Sequence, residues 1–390
     1  MVQGDRLVRA AREQFQLSSA SPRADSRAEV EAVQADEWLV PSPRTPQGEH
    51  LARIFQGIRL PRWRPHTATS VTASDGLVSA ALLPGQMLLA DTDAAVEQAL
   101  WDAAIPEPDP NYVVTDAHQL AAKMLAVRLR LRKHCIGFFG VPGTGKNTLA
   151  REVAALFRLP YYSQDLDASL DLKELIGGTA LEHGETVERI GKITWFAQRG
   201  ALICLNEIQA VDPEMQTILH DLIGSRRIAI PSMEGKPRML PVHPSTIFVV
   251  TWNPFRGRMP ERALLSRLGA VEFPQPSDRE ECRLVARMLS TADLESTGRE
   301  IPPAEVLRDQ ALFRDLRRLY QREELEVFPD LRFLENFAAF RRLLGVSAAK
   351  ATLVALAPQI PEDRERAVRQ IERLVANHFA EADEKAAGRS

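Results

Sequence analysis

Two short stretches carry residue types that could do chemistry on a phosphate. The first is GVPGTGKNT, Gly140 to Thr148. Gly140, Gly143 and Gly145 let the backbone bend tightly, so that the loop's N–H groups can converge on phosphate oxygens at the start of the next helix. Lys146 adds a positive charge for the β and γ phosphates. Val141, Pro142, Thr144, Asn147 and Thr148 complete this candidate nucleotide-binding loop. A hydroxyl usually follows the lysine and grips magnesium, yet Asn147 stands there. Thr148 does not replace it simply by being adjacent, because one helical step turns a side chain about 100° away.

The second stretch is ALICLNEI, an apolar run ending in Asn206 and Glu207. Strands of this kind in phosphate-loop enzymes usually end in Asp-Glu, the Asp steadying magnesium and the Glu polarising the attacking water. Glu207 is therefore the candidate catalytic carboxylate, and Asn147 and Asn206 mark the metal positions with neutral amides. Two amides can donate to and accept from one another, so a direct Asn147–Asn206 hydrogen bond is expected to compensate for the missing hydroxyl–carboxylate pair. A carboxylate 4 Å from the metal is worth up to ~4 kcal/mol at an effective dielectric near 20, while the triphosphate and water provide most magnesium ligands. Weakened Mg2+ binding is expected, rather than none. Two readings stay open: ATP hydrolysis, slow or normal, and nucleotide binding without turnover. Glu207 as a carboxylate at a helix start, with no chemistry, is the plain alternative.

These loops need strands and helices to hold them. CIGFFG is a short buried strand running into the glycine-rich loop, and NTLAREVAALF is the helix that leaves it. PYYSQD, ALICLN, TIFVVT and AVEF read as further strands, apolar enough for a parallel sheet covered on both faces. After Pro274 the pattern is helical only, in DREECRLVARMLS, PAEVLRDQALFRDLRRLYQ, DLRFLENFAAFRRLLG and DRERAVRQIERLVANHF. The expected fold class is α/β: a phosphate-loop parallel sheet over 111–276, then an all-helical lid and C-terminal helices over 277–390. Residues 1–50, rich in Ser, Pro, Arg and acidic residues, are expected to be mostly disordered, with a short helix near 4–15. Residues 51–110 are mixed: DAAVEQALWDAA has helical spacing and IPEPDPN reads as a linker.

The bulk numbers set outer limits. At 390 residues and 45% hydrophobic, the chain can build two or three cores. Lys plus Arg at 49 against Asp plus Glu at 52, a net charge of -3, gives no global attraction to nucleic acid or an acidic membrane. Three distant cysteines in no metal-like spacing argue against disulfides and zinc, and fit a reducing cytoplasm. No apolar run reaches signal-peptide or membrane-span length. The basic run RLRLRKH, Arg128 to His134, reads as a solvated helix face, with contact to nucleic acid or an acidic partner as the alternative.

Further segments follow in the order used by AAA+ ATPases, and the chain resembles the MoxR-type group, which includes activators of metalloenzymes and the gas-vesicle and cobalt-chelatase ATPases. FVVTWNP resembles the sensor 1 strand, which implies that Asn253 orients the lytic water. ALLSRL resembles the segment that sends an arginine finger into the neighbouring subunit, which implies that role for Arg267. FPDLRFLENF resembles the sensor 2 helix, which implies that Arg332 reaches the γ-phosphate. Read from residues alone, Asn253 before Pro254 is also a strand-ending turn, and Arg267 and Arg332 are also ordinary surface arginines.

DLKELIGG with GETVERIGKITWFAQRG resembles the group's hairpin insertion, and RRIAIPSMEGKPRMLPVHPST its second hairpin. In this family such hairpins face the central pore or the substrate, so Val187 to Ile193 is the candidate contact surface. The resemblance covers about 111–345 and implies a homo-oligomeric ring, expected as a hexamer. It also implies ATP with Mg2+ between subunits, a client protein, and a separate partner with a von Willebrand A domain. Three functions follow as expectations: a client-remodelling ATPase, a nucleotide-stabilised ring scaffold with negligible hydrolysis, and a DNA-directed motor. The near-balanced charge of GETVERIGKIT speaks against the last.

Overall fold

The computed structural model describes residues 38–64, 94–171, 175–182, 185–230, 237–254, 259–296, 303–322, 324–325, 329–343, 347–356, 365 and 368–377. The helix expected near 4–15 lies outside them.

Along the chain come strand β1 (Trp38–Leu39), helix α1 (Pro46–Ile54), strand β2 (Leu60–Pro61), and helices α2 (Ala94–Ala103) and α3 (Asp116–Arg130). Strand β3 (Cys135–Gly140), helix α4 (Lys146–Phe157) and strand β4 (Tyr161–Asp165) follow. Next are the hairpin β5 (Gly177–Glu182) and β6 (Glu185–Ile190), helix α5 (Lys192–Arg199) and strand β7 (Leu202–Asn206). After a 3-10 turn at Ile208–Ala210 come helix α6 (Pro213–Ser225), a second hairpin of β8 (Arg227–Ile230) and β9 (Arg238–Pro241), strand β10 (Ile247–Trp252), helix α7 (Arg262–Leu268) and strand β11 (Ala270–Phe273). Helices α8 (Asp278–Ser296), α9 (Pro303–Gln321), α10 (Leu331–Leu343) and α11 (Ala348–Leu356) build the lid.

The five expected strands form one sheet in the order β11-β3-β10-β7-β4, with every neighbouring pair parallel. All residues of β7 and β10 are buried, which explains their unbroken apolar runs: helices cover both faces. From β3 the chain crosses to β4 at the far edge, and it returns on the other side of β3 only with β11. The switch in direction opens a crevice beyond the carboxyl ends of β3 and its neighbours, where α/β sheets bind ligands.

The boundaries expected at residues 50 and 110 do not separate parts of the fold. Helix α1 crosses residue 50, started by Thr45, whose side chain accepts from Gly48 N at 3.0 Å, and by Pro46 in its first turn. Leu39, Leu51, Phe55, Trp63 and Trp101 are buried in the same apolar core as the sheet. Phe55 meets Phe157 edge to face at 5.4 Å, Trp101 Nε1 donates to Arg199 O at 2.8 Å, and Tyr161 N donates to Ala104 O at 2.9 Å. Polar average composition hid these few anchors, each worth about 1.5–3 kcal/mol when fully buried.

The lid has its own core of Val285, Leu312, Phe313, Phe333, Phe337 and Leu356, among others. Its buried charges are paired, Arg317 with Glu281 and Arg341 with Asp309 at 2.5 Å, as burial of charge requires. Helix α11, which sequence periodicity did not pick out, buries Ala351, Ala355 and Leu356 in this core. Its run AAKATLVAL is apolar nearly all round and too short for a periodic signal.

Gly140 shows how tightly the site's floor is built. Its φ is +131°, and an added Cβ would lie 2.2 Å from Phe273 O on β11. Gly140→Ala is expected to cost about 3 kcal/mol from strained backbone and overpacking combined. Chemical denaturation of the two proteins checks this, and a loss below ~1 kcal/mol would contradict it.

Candidate nucleotide site

The loop after β3 adopts the conformation its glycines permit. Gly143 and Gly145 have φ of +75° and +81°, in the left-handed region. Gly145 caps α4 without a side-chain hydrogen bond, so the first amides of that helix are left for a ligand. Lys146 Nζ folds back to donate to Gly140 O at 3.0 Å and Val141 O at 2.7 Å. Gly140 and Val141 thus stand behind the loop and hold its lysine. Burial pushes the Lys146 ammonium down to about 8, Glu207 pulling it up and Arg332 pushing it down further.

A pH dependence follows. Below pH ~8 Lys146 is charged and can meet phosphate; above it the empty site is increasingly neutral, and a triphosphate must bring a proton with it. Affinity for an ATP analogue is therefore expected to fall by up to about tenfold per pH unit above 8. Lys146→Arg is expected to flatten that profile, because guanidinium stays charged. Fluorescence titrations between pH 7 and 9.5 check both statements.

His118 supports the loop from below, a role no sequence motif announced. Its Nε2 lies 3.1 Å from Thr144 O, and its Nδ1 lies 3.3 Å from Thr115 N in the capping box of α3. Burial holds the imidazole below its ordinary value, which favours the neutral ring, and Nδ1 also lies 3.2 Å from Val113 O. A Cβ on Gly145 would lie 2.6 Å from that Nε2, so glycine is required there on steric grounds as well as for its φ.

A cavity of about 790 Å³ lies between the carboxyl edge of the sheet and the lid. Pro142, Gly143, Thr144, Gly145, Lys146, Asn147 and Thr148 form one wall. Asn206, Glu207 and Thr251 close the sheet side, and Leu331, Arg332 and Glu335 reach in from α10. The volume is in the range of ligand pockets. Lid and loop are close here: a Cβ on Gly143 would lie 3.1 Å from Leu331 N. Asp330, which accepts from Phe333 N at 2.9 Å, caps α10 and so fixes where Arg332 emerges.

Glu207 sits at φ 57°, ψ 41°, unusual for a residue with a side chain, and Gln209 Nε2 donates to its Oε2. Such strain concentrates where a side chain must be aimed. Asn253 follows β10 and is buried, two residues after the cavity's Thr251 but outside the wall. Arg267 is exposed on α7, outside the cavity, with Nη1 donating to its own Ala263 O at 3.0 Å.

The two amides do not pair with each other. Asn206 Nδ2 donates to Ser163 Oγ at 3.0 Å and Asp165 Oδ1 at 2.7 Å, so both its protons are taken. Asn206 Oδ1 accepts from Thr251 Oγ1 at 3.2 Å and faces Cys204 Sγ at 3.3 Å. Cys204 Sγ also lies 3.9 Å from Asn147 Oδ1, and burial pushes this thiol up to about 12, so it stays a neutral donor. Cys204, not a direct amide bond, connects the two positions. The donor set suits phosphate, with Lys146, Arg332 and the loop amides converging on one cavity. For magnesium the fit is divided: Asn147 Oδ1 has only the long sulfur contact, whereas Asn206, 4% exposed, has both lone pairs engaged inside the fold. No group of three or more His, Cys, Asp or Glu among the described residues is arranged to hold a resident metal ion.

One hairpin differs from its expected role. Both hairpins form, with the 231–236 tip outside the described residues. Within Val187 to Ile193, however, Ile190 and Ile193 are buried in the main core, because the strand turns inward to start α5. That end is an anchor and not a contact surface. The basic run keeps its expected solvated face, with Arg130, Arg132 and Lys133 exposed, while Arg128 donates to Arg267 O and Cys135 O and Arg130 donates to Gln56 O at 3.1 Å. Cys135, Cys204 and Cys282 are free thiols.

Residues 137–268 match the AAA domain of the dynein-related subfamily. Protein NorQ of Paracoccus denitrificans is 29% identical over 151 residues, 38% of this chain and 55% of that protein. Gas vesicle ATPase GvpN2 of Halobacterium salinarum is 25% identical over 228 residues, 52% of this chain and 65% of that protein. Protein CbbQ of Hydrogenophilus thermoluteolus is 25% identical over 150 residues, 38% of this chain and 55% of that protein. The chain thus spans between about half and two thirds of the length of these relatives. Among the described residues no helix is long and apolar enough to cross a membrane.

Proposed function

Because the chain carries an AAA+ core of the MoxR type, we propose that it binds ATP at the interfaces of a homo-oligomeric ring and uses hydrolysis to remodel a client protein. The single observation that carries the reading is the convergence of Lys146, Glu207 and Arg332 on one cavity beside amides of α4 that no side chain caps. Lys146 leaves the Gly140 and Val141 carbonyls to meet the β and γ phosphates, and Arg332 approaches from the lid. Glu207 orients and deprotonates the attacking water, with Asn253, just past the end of the neighbouring strand β10, as a second orienting group. Mg2+ bound with the nucleotide would neutralise charge between the β and γ phosphates, with Asn147 at its loop-side position. Arg267, remote from its own cavity, fits the role of a charge supplied to the next subunit's γ-phosphate.

Movement then comes from the lid, since closing or releasing Arg332 shifts α10 against the loop. The hairpin β5–β6 is the expected client-facing element, away from its buried base at Ile190. A client, and a partner with a von Willebrand A domain, remain proposals that rest on the family resemblance. A scaffold without turnover is the second reading, favoured by the neutral amides at Asn147 and Asn206. Phosphate release in Mg2+ or Mn2+, with particle mass measured with and without ATP, separates the two. An ATP-dependent ring that releases phosphate supports the remodelling ATPase, a ring that releases none supports the scaffold, and a monomer that binds no nucleotide sinks both.

A further inference from the structure

We propose that Asp165 at the end of β4 supplies to nucleotide-bound Mg2+ the carboxylate that Asn206 cannot supply. The inference rests on the ATP-binding reading above. Asp165 and Asn206 are in-register neighbours on parallel strands, both line the phosphate cavity, and Asp165 Oδ1 accepts from Asn206 Nδ2 at 2.7 Å. Adjacent strands are about 4.8 Å apart, so the negative charge is displaced sideways by one strand and is not lost.

The hydrogen-bond inventory assigns the roles. Asn206 is buried, its protons go to Ser163 and Asp165, and its oxygen is engaged by Thr251 and Cys204. It therefore has nothing left to offer the cavity and acts as a bracket for Asp165. Asp165 is exposed to the cavity, and its second oxygen, Oδ2, takes no hydrogen bond from any described residue. A carboxylate with one oxygen tethered and the other open is oriented without being neutralised, because an amide donor, unlike Lys or Arg, brings no charge. Mg2+ is a hard cation that keeps several water ligands when it travels with a nucleotide, so Asp165 can act by accepting from such a water. It is a metal-positioning residue, not the group that activates the lytic water.

Titration of a fluorescent, non-hydrolysable ATP analogue into the full chain, once in EDTA and once in saturating Mg2+, tests this. In EDTA, Asp165→Asn is expected to bind at least as tightly as wild type, because removing a carboxylate from the cavity relieves repulsion of the metal-free triphosphate, and this binding also reports that the variant is folded. Mg2+ is expected to tighten wild-type binding and to give Asp165→Asn roughly tenfold less of that gain, as loss of one charge near a divalent ion implies. Mn2+ bound alongside the analogue, counted by electron paramagnetic resonance, is expected to fall in parallel. A single variant that keeps the full metal gain, or one that loses affinity equally with and without metal, overturns the proposal and leaves Asp165 a structural partner of Asn206. Binding in neither condition by wild type would remove the ATP reading itself, and this inference with it.

Discussion

Arg267→Ala is expected to lower ATP turnover by roughly 10³-fold or more, the effect of removing a cation aimed at the departing γ-phosphate. Analogue binding in EDTA is expected to change little. Arg267 lies outside the cavity of its own chain and, among the described residues, its side chain donates only to Ala263 O, so truncating it takes no contact away from that cavity. Arg128 donates to the Arg267 carbonyl, and a Cβ on Gly224 would lie 2.9 Å from Arg267 Nε, so backbone and side-chain stem are both held. A guanidinium held this way loses less freedom when it meets a neighbour than one on a free loop. Steady-state phosphate release, with analogue binding as control, checks the prediction. A fall in turnover of less than about tenfold would leave Arg267 as a surface residue, since even one charged hydrogen bond is worth more.

Glu207→Gln is expected to slow hydrolysis by roughly 10²- to 10⁴-fold while ATP stays bound, because glutamine keeps the shape but cannot take a proton. The hydrogen bond from Gln209 and the left-handed backbone at Glu207 aim this carboxylate, and glutamine can keep that aim. Turnover equal to wild type in the variant would assign Glu207 to structure. The two variants together give a test of interface sharing that neither gives alone. A mixed ring of Arg267→Ala and Glu207→Gln subunits contains some interfaces with Glu207 on one side and Arg267 on the other. Activity regained on mixing two silent proteins means that the residues act across subunits. No regain, with both proteins assembled, means that they do not.

The sheet was legible because its central strands β7 and β10 are short apolar runs between polar turns, and their full burial on both faces leaves little alternative to a parallel sheet. The glycine spacing of the phosphate loop was legible for a related reason: left-handed backbone at Gly143 and Gly145 is a local property that the residues themselves declare. The N-terminal anchors were harder. Leu51 and Phe55 are two apolar residues in a polar stretch, and what makes them core is a partner, Phe157, about a hundred residues away. Composition averages such pairs out. Helix α11 escaped because a short segment apolar nearly all round has no face to reveal.

By itself the sequence determined the glycine-rich loop, the five strands of the sheet, and that amides occupy the positions where a hydroxyl and a carboxylate are usual. Only the tertiary structure decided what those amides do. It turned Asn206 away from Asn147 and toward Ser163 and Asp165, placed Cys204 between the two positions, and set His118 under Thr144. The physical reason is that a hydrogen bond is chosen by which groups the packed strands bring within about 3 Å, and residues on β4 and β7 more than forty positions apart have no means of expressing that choice in linear order.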